Sequence, residues 1–362
     1  MSSLTSANAT TVIEVRTAPH LHSGRSVVQI MSNVVYALLP MCIYSVWLFG
    51  ISAALLIATT TGACVLIEHW CCRLSGRESS INDLSVAITG MLLGLTLPPG
   101  LPLWMAVVGA FIAVAPGKML FGGLGFNVFN PALVGRAFLQ AAFPVAITSY
   151  TPAQALHRFT EFIPTTLTIP FLKAAPLKDW IAKVRIDGFT GATPLMLQKF
   201  EHVTTDTWSL FLGTRAGSSG ETSAVLILIG GVYLIARKMM DWRIPVAMLL
   251  GALVTGGAYY LSNPAKYPSP LFVLFSGGLM LGAFFMATDP VASPVTPRGM
   301  WIYGILMGLI TVLIRFEGGL AEGVMYAILL GNALSPLIDR LTQPRTYGEG
   351  KRMFGKEAIS TK

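Results

Sequence analysis

Long apolar runs recur along the chain, and the breaks between them are short and polar or rich in turn residues. Neither the strict alternation of a half-buried strand nor the one-sided stripe of a surface helix governs these runs. Most are long enough to cross roughly 30 Å of hydrocarbon as helices. They predict spans at about 31–49, 51–70, 83–98, 103–116, 127–145, 222–238, 244–261, 270–288, 299–314 and 321–339. Turn chemistry separates several of them: Pro98, Pro99, Gly100 and Pro102 between the third and fourth, Asn263 and Pro264 after the seventh. The expected fold class is an all-α polytopic membrane protein of about ten transmembrane helices. Its segments are an N-terminal piece 1–30, a first five-helix half 31–145, a polar loop 146–221, a second half 222–339 and a tail 340–362.

Composition strengthens that expectation. Only 12% of the 362 residues are charged and 53% are hydrophobic, whereas roughly a quarter are charged in a soluble domain. A formal net charge of +8 raises the question of nucleic acid. The basic residues form no patch interleaved with aromatics, so nucleic acid is not expected as a partner and the lipid bilayer is. Topology accounts for the charge instead. Counting Lys and Arg in short loops puts Arg73, Arg77, Lys118, Arg237, Lys238, Arg243, Arg298 and the basic tail on one side, leaving Lys266 and Arg315 opposite. Both termini are therefore expected in the cytoplasm and the loop 146–221 on the outer, periplasmic face. No cleavable signal peptide is expected, because residues 1–25 are polar. Cys42, Cys64, Cys71 and Cys72 have no metal-ligand spacing, and His20 and His22 lack further ligands, so neither an iron–sulfur nor another metal site is expected.

The two halves carry related marks. Gly90, Gly94, Pro98 and Pro99 find counterparts in Gly278, Gly282 and Pro290, and Asn130, Pro131 and Ala132 in Asn332, Ala333, Ser335 and Pro336. Two five-helix halves joined in this way must be inverted relative to one another across the membrane plane.

The sharpest chemical signal lies in the polar loop. Asp187, Gly188, Phe189, Thr190, Gly191, Ala192 and Thr193 fit a D-x-x-[ST]-G-A-[ST] acceptor pattern for a flavin transferase, which links FMN to the last hydroxyl by a phosphoester bond. Thr193 supplies the hydroxyl, Gly191 and Ala192 the small neighbours, and Asp187 the nearby acid. Pro194 pushes Thr193 toward extended geometry, where the hydroxyl is presented rather than wound into a helix. The alternative is a plain turn of common loop residues. The predicted outer location favours attachment, since this modification is made outside the cytoplasm.

With Pro19, His20, His22, Ser23 and Gly24, then Ser75, Gly76 and Asp83, then Phe129 to Ala132 with Gly135, Arg136 and Phe138, the loop motif, and Ala287 to Pro290, the chain resembles a known family over nearly its whole length. The resemblance is to the RnfD family of Rnf ion-translocating electron transport complexes, related to the NqrB family of the sodium-pumping NADH:quinone reductase. It implies a bacterial inner-membrane flavoprotein subunit carrying covalent FMN on Thr193. Such a protein passes electrons between ferredoxin and NAD in a chain coupled to Na+ or H+ movement, with other Rnf subunits as partners and a flavin transferase for maturation. It would be one part of a translocase, not catalytic alone, and no catalytic residue is assigned.

The resemblance also implies a second flavin, riboflavin held without a covalent bond. Asn127 and Asn130 are spaced to share one helix face, and their amides suit the donor and acceptor edge of an isoalloxazine ring. The alternative for Asn130 is satisfying backbone freed by Pro131. Arg136, two turns into a span, needs a partner or a watery cavity. Asp83 and Asp289, at span ends, fit helix capping better than an ion pathway. An alternative function is a urea- or ammonium-like solute channel, for which the loop motif is accidental and flavin absent.

Overall fold

The computed structural model describes residues 26–76, 80–170, 192–213 and 215–344, which are helix and loop throughout. The major helices are α1 (Val27–Phe49), α2 (Ile51–Leu74), α3 (Ser85–Thr96), α4 (Leu103–Val114) and α5 (Pro131–Ala142), followed by α6 (Ala224–Ala236), α7 (Arg243–Ser262), α8 (Pro270–Phe275), α9 (Leu279–Leu281), α10 (Pro297–Phe316) and α11 (Val324–Thr342). Among the described residues, α1, α2, α7, α10 and α11 are long and apolar enough to cross a membrane. Large apolar side chains such as Ile43, Leu66, Ile229, Val254 and Leu337 are exposed on the helices. A surface of this kind is stable only against lipid or another apolar partner.

The described chain opens at Ser26, whose hydroxyl accepts from Gln29 N at 3.2 Å and caps α1. At Gly50 it reverses with φ +75°, and a Cβ there would collide with the Arg158 carbonyl, so only glycine fits. We call the end where α1 begins and α11 finishes the terminal face, and the opposite end the loop face. Residues 146–170 and 192–213 pack on the loop face. Gln154 N donates to Leu48 O (2.8 Å), Ile51 N to Arg158 O (3.0 Å) and Leu103 N to Thr166 O (3.1 Å).

Several spans are shorter than the apolar runs that predicted them. The span expected over 83–98 is α3, twelve residues long, ended by Pro98 and Pro99, which have no N–H to continue it. The span expected over 127–145 begins only at Pro131, with Asn130 as its cap. The span expected over 270–288 breaks after Phe275, passes through Ser276 and Gly277, and resumes as α9 and a π turn, Gly282–Met286.

The groups freed at these breaks are met by distant chain. Leu97 O accepts from Ser219 N (3.1 Å), and Leu95 O from Gly220 N (2.6 Å). In the second half, Arg315 donates to Val273 O (2.7 Å) and Ser276 O (3.0 Å). Arg315, expected in an exposed outer loop, is instead only 2% exposed at the end of α10.

Helix α2 packs on α3 and α4, and α4 on α5; α7 packs on α8 and α10, and α10 on α11. The order of packing is thus the same in both halves. The α7 and α10 backbones approach closely at glycines: a Cβ on Gly308 would lie 2.2 Å from Met248 O. Small residues at a helix crossing permit this contact in lipid. Gly62 of α2, by contrast, has nothing within 4 Å of such a Cβ. Gly308→Ala is therefore expected to destabilise the detergent-solubilised protein by about 1–3 kcal/mol, and Gly62→Ala to leave it unchanged or stabilise it by up to about 1 kcal/mol. Unfolding midpoints of both variants check this, and equal effects would show that the crossing is not tight.

Candidate functional site

Each face carries a cavity. On the loop face, Thr193 has extended geometry (φ −75°, ψ 160°) and caps the single turn Pro194–Met196, its hydroxyl oxygen accepting from Met196 N at 3.3 Å. The turn continues as a π segment, Leu197–Glu201. Leu195 anchors it by packing with Leu210 and Phe272. Thr193 lines a partly open cleft of about 90 Å³. Ala192 lies beside it, while Asp187, Thr190 and Gly191 fall outside the described residues.

The polar wall of this cleft is built by Arg136, 8% exposed. Its guanidinium donates to Glu221 (2.9 Å) and Glu322 (2.8 Å). Glu322 also accepts from Gly278 N. One side chain on α5 thereby joins the segment before α6 to the turn before α11. The partner that Arg136 was expected to need is therefore a pair of carboxylates. Close by, Lys199 donates to Arg315 O (2.8 Å), Leu320 O (2.8 Å) and Gly318 O. A cation at this end satisfies the last carbonyls of α10 and suits its dipole. Burial moves the Lys199 ammonium below its ordinary pKa, opposed by the charge of Glu317.

On the terminal face, a cavity of about 370 Å³ is walled by apolar residues including Ile88, Phe284 and Phe285. Asn127, Asn130, Asp289, Ser85 and Lys118 supply polar groups to it. Asn127 and Asn130 do meet here, but not on a helix face as expected. Asn127 is in the loop before α5 and donates to Phe129 O (3.1 Å) and Asp289 (3.3 Å). Asn130 is the α5 cap: its oxygen accepts from Ala132 N (3.1 Å) and its nitrogen donates to Met286 O (3.2 Å). The physical reason is Pro131, which favours the first helical position and leaves the preceding residues in loop. With its amide oxygen toward Asn130 N (3.0 Å), Asn332 also donates to the Tyr303 hydroxyl and Ile328 O, so the two counterpart asparagines are neighbours.

Neither Asp83 nor Asp289 is a helix cap as expected: the cap position of α3 is Leu84, and Asp289 sits in the loop after the π segment Gly282–Met286. Asp83 accepts from Ser85 N (2.8 Å) and Ser85 Oγ (2.6 Å), and Asp289 from Val291 N (3.0 Å). Lys118 corrects the charge count, because it is not a loop lysine. It is 2% exposed and bonded to Glu68 at 2.8 Å, and Glu68 is fully buried in α2. Sequence reasoning missed Glu68, Glu221 and Glu322. A lone acid inside an apolar run was the available signal for Glu68; nothing local marks the other two as partners of Arg136. Among the described residues, no group of three His, Cys, Asp or Glu is placed to hold a metal ion.

A chain whose described residues are helix and loop, with apolar side chains turned outward and a cavity at each face, is a polytopic membrane protein. The chain belongs to the NQR2, RnfD, RnfE family, whose model matches residues 14–348. It is 39% identical to the D component of a proton-translocating ferredoxin:NAD(+) oxidoreductase complex of Clostridium ljungdahlii, over 93% of this chain and 96% of that one. It is 40% identical to the D component of the Na(+)-translocating ferredoxin:NAD(+) oxidoreductase complex of Acetobacterium woodii, over 94% and 96%. The corresponding component of an ion-translocating oxidoreductase complex of Stutzerimonas stutzeri is 39% identical over 93% and 96%. A urea- or ammonium-type channel finds no support in these matches.

Removing Arg136 strands two buried carboxylates, and a buried pair broken from one side costs about 3–5 kcal/mol. Arg136→Ala is expected to lose stability on that scale, with Arg136→Lys intermediate because one ammonium does not reproduce the fork. Unfolding of the purified variants measures it; an Arg136→Ala protein as stable as the parent would show that the carboxylates find other partners.

Proposed function

We propose that the chain is the RnfD-type component of a bacterial inner-membrane, ion-translocating ferredoxin:NAD(+) oxidoreductase complex, carrying FMN covalently on Thr193 and passing electrons among its partners. The observation that carries this is the position of Thr193: a cap residue of extended geometry, followed by Pro194, beside a cleft open to the loop face. The residues fit the group. A phosphoester keeps lone pairs on Oγ1, so Thr193 would still accept from Met196 N after modification. Bound there, FMN would supply electron transfer, and this chain's residues hold and shield it.

In this proposal both termini are cytoplasmic, the loop face is periplasmic, and a flavin transferase modifies Thr193 there. The terminal-face cavity takes riboflavin without a covalent bond. Its apolar walls suit the ring, and Asn127 and Asn130 suit the ring's polar edge. The coupling ion stays open between Na+ and H+, because relatives named for each are about equally similar, at 40% and 39% identity.

In-gel ultraviolet fluorescence of the denatured chain tests the covalent site, in cells that also make the transferase. Thr193→Ala is expected to be dark and inserted, Thr193→Ser to retain fluorescence, and peptide mass mapping to place the adduct on Thr193. A fluorescent Thr193→Ala band would overturn the assignment. For the second cavity, Asn127→Leu is expected to lower the flavin released on denaturation by tenfold or more while the covalent band stays bright. Unchanged release would remove Asn127 from the site.

A further inference from the structure

One charged side chain lining the terminal-face cavity, Lys118, takes no part in the contacts assigned to the flavin above. Its ammonium has three donors, and two go to Glu68 (2.8 Å) and Ser85 Oγ (2.7 Å). Ser85 donates in turn to Asp83 at 2.6 Å. Glu68 is fully buried and does not line the cavity, so the pair is a dipole with its positive end toward the cavity. Among the residues that line the space, Lys118 is the cation. Asp289, which also lines it, is an anion held by Asn127 and Val291 N, and its charge is the same in every variant compared below.

The backbone sets this placement. Lys118 lies in a π turn, Ala115–Met119, which Leu120 N closes onto Ala115 O at 2.9 Å. A second π turn, Gly282–Met286, brings Phe284 and Phe285 to the cavity wall. One-turn π insertions concentrate at functional sites. Stability does not call for the ion pair, since a well-packed apolar replacement of a buried pair is often neutral or better.

We propose that Lys118, held by Glu68 and Ser85, is the positioning and charge-balancing residue for a planar redox heteroaromatic in this cavity, offsetting the negative charge that the ring gains on reduction. This rests on the proposal that the cavity takes a flavin. In the step itself a low-potential one-electron donor of the complex loses an electron and the ring gains it. No bond forms or breaks, and Lys118 keeps its proton. A single cation counts most here because apolar walls keep the local dielectric low.

The test uses the whole purified complex, titrated with dithionite and followed by absorbance, with released flavin measured after denaturation. Lys118→Gln is expected to keep released flavin but shift its one-electron equilibrium at least tenfold toward the oxidised form, a fall of about 59 mV. Glu68→Gln is expected to shift it the other way, and Lys118→Arg to stay within about threefold of the parent. The covalent flavin is not expected to move in any variant. Retained flavin with an unmoved potential in Lys118→Gln overturns the role of Lys118 and leaves the flavin site standing. A parent complex that releases no flavin overturns both. If Lys118→Gln does not assemble, Glu68→Gln decides by its sign, and no shift there overturns the proposal.

Discussion

A helix that stops inside a membrane leaves amides and carbonyls that water cannot reach, and each bare group costs several kcal/mol. This chain breaks helices in both halves, so its arrangement turns on how those groups are met. The segment before α6 returns to the first break, where Ser219 and Gly220 donate to Leu97 and Leu95. Arg315 reaches the second and donates to Val273 and Ser276. The described parts of the polar connection between the halves, residues 146–170, 192–213 and 215–221, are therefore part of the bundle. They complete helices that would otherwise end unsatisfied, which is why residues such as Ser219 and Thr166 are fully buried although they lie in loops.

Charge follows the same logic. Arg136, Glu221 and Glu322 come from three places far apart in sequence and meet at one fork. Lys118 and Glu68 form a second pair near the other face. Isolated, any of these would be expelled from lipid or neutralised. Paired, they place polar groups in the cavities at both ends of an otherwise apolar body. The Thr193 cleft takes its wall from the first cluster, and the Asn127 cavity takes its cation from the second.

Much of this was legible in the sequence, and the parts that were not share a cause. Apolar runs marked the spans because their signal is local and repeated, and Pro98, Pro99 and Pro131 announced where helices stop or start. The extended backbone of Thr193 was legible because Pro194 restricts it. The partners of Arg136 were not, since Glu221 and Glu322 lie 85 and 186 residues away and only the fold joins them. Charge counting misplaced Lys118 and Arg315 for a related reason: it treats a basic residue near a span end as exposed, and both are turned inward. Asn127 and Asn130 do line one cavity, but with a geometry the sequence did not foretell, because a helix was assumed where Pro131 had only begun one.

The π turns suggest how such a site comes about in a lineage of helices. Each holds one residue more than a regular α-helix would at the same point, and each α-helical residue turns the chain by about 100°. Deleting one residue from Ala115–Met119 would regularise α4 and swing its end by that angle. Met119 or its neighbour would then look where Lys118 looks now, and the ladder to Asp83 would be lost. A polar niche within an apolar bundle was thus within reach of a single codon gained, with no new helix and no change to the spans on either side.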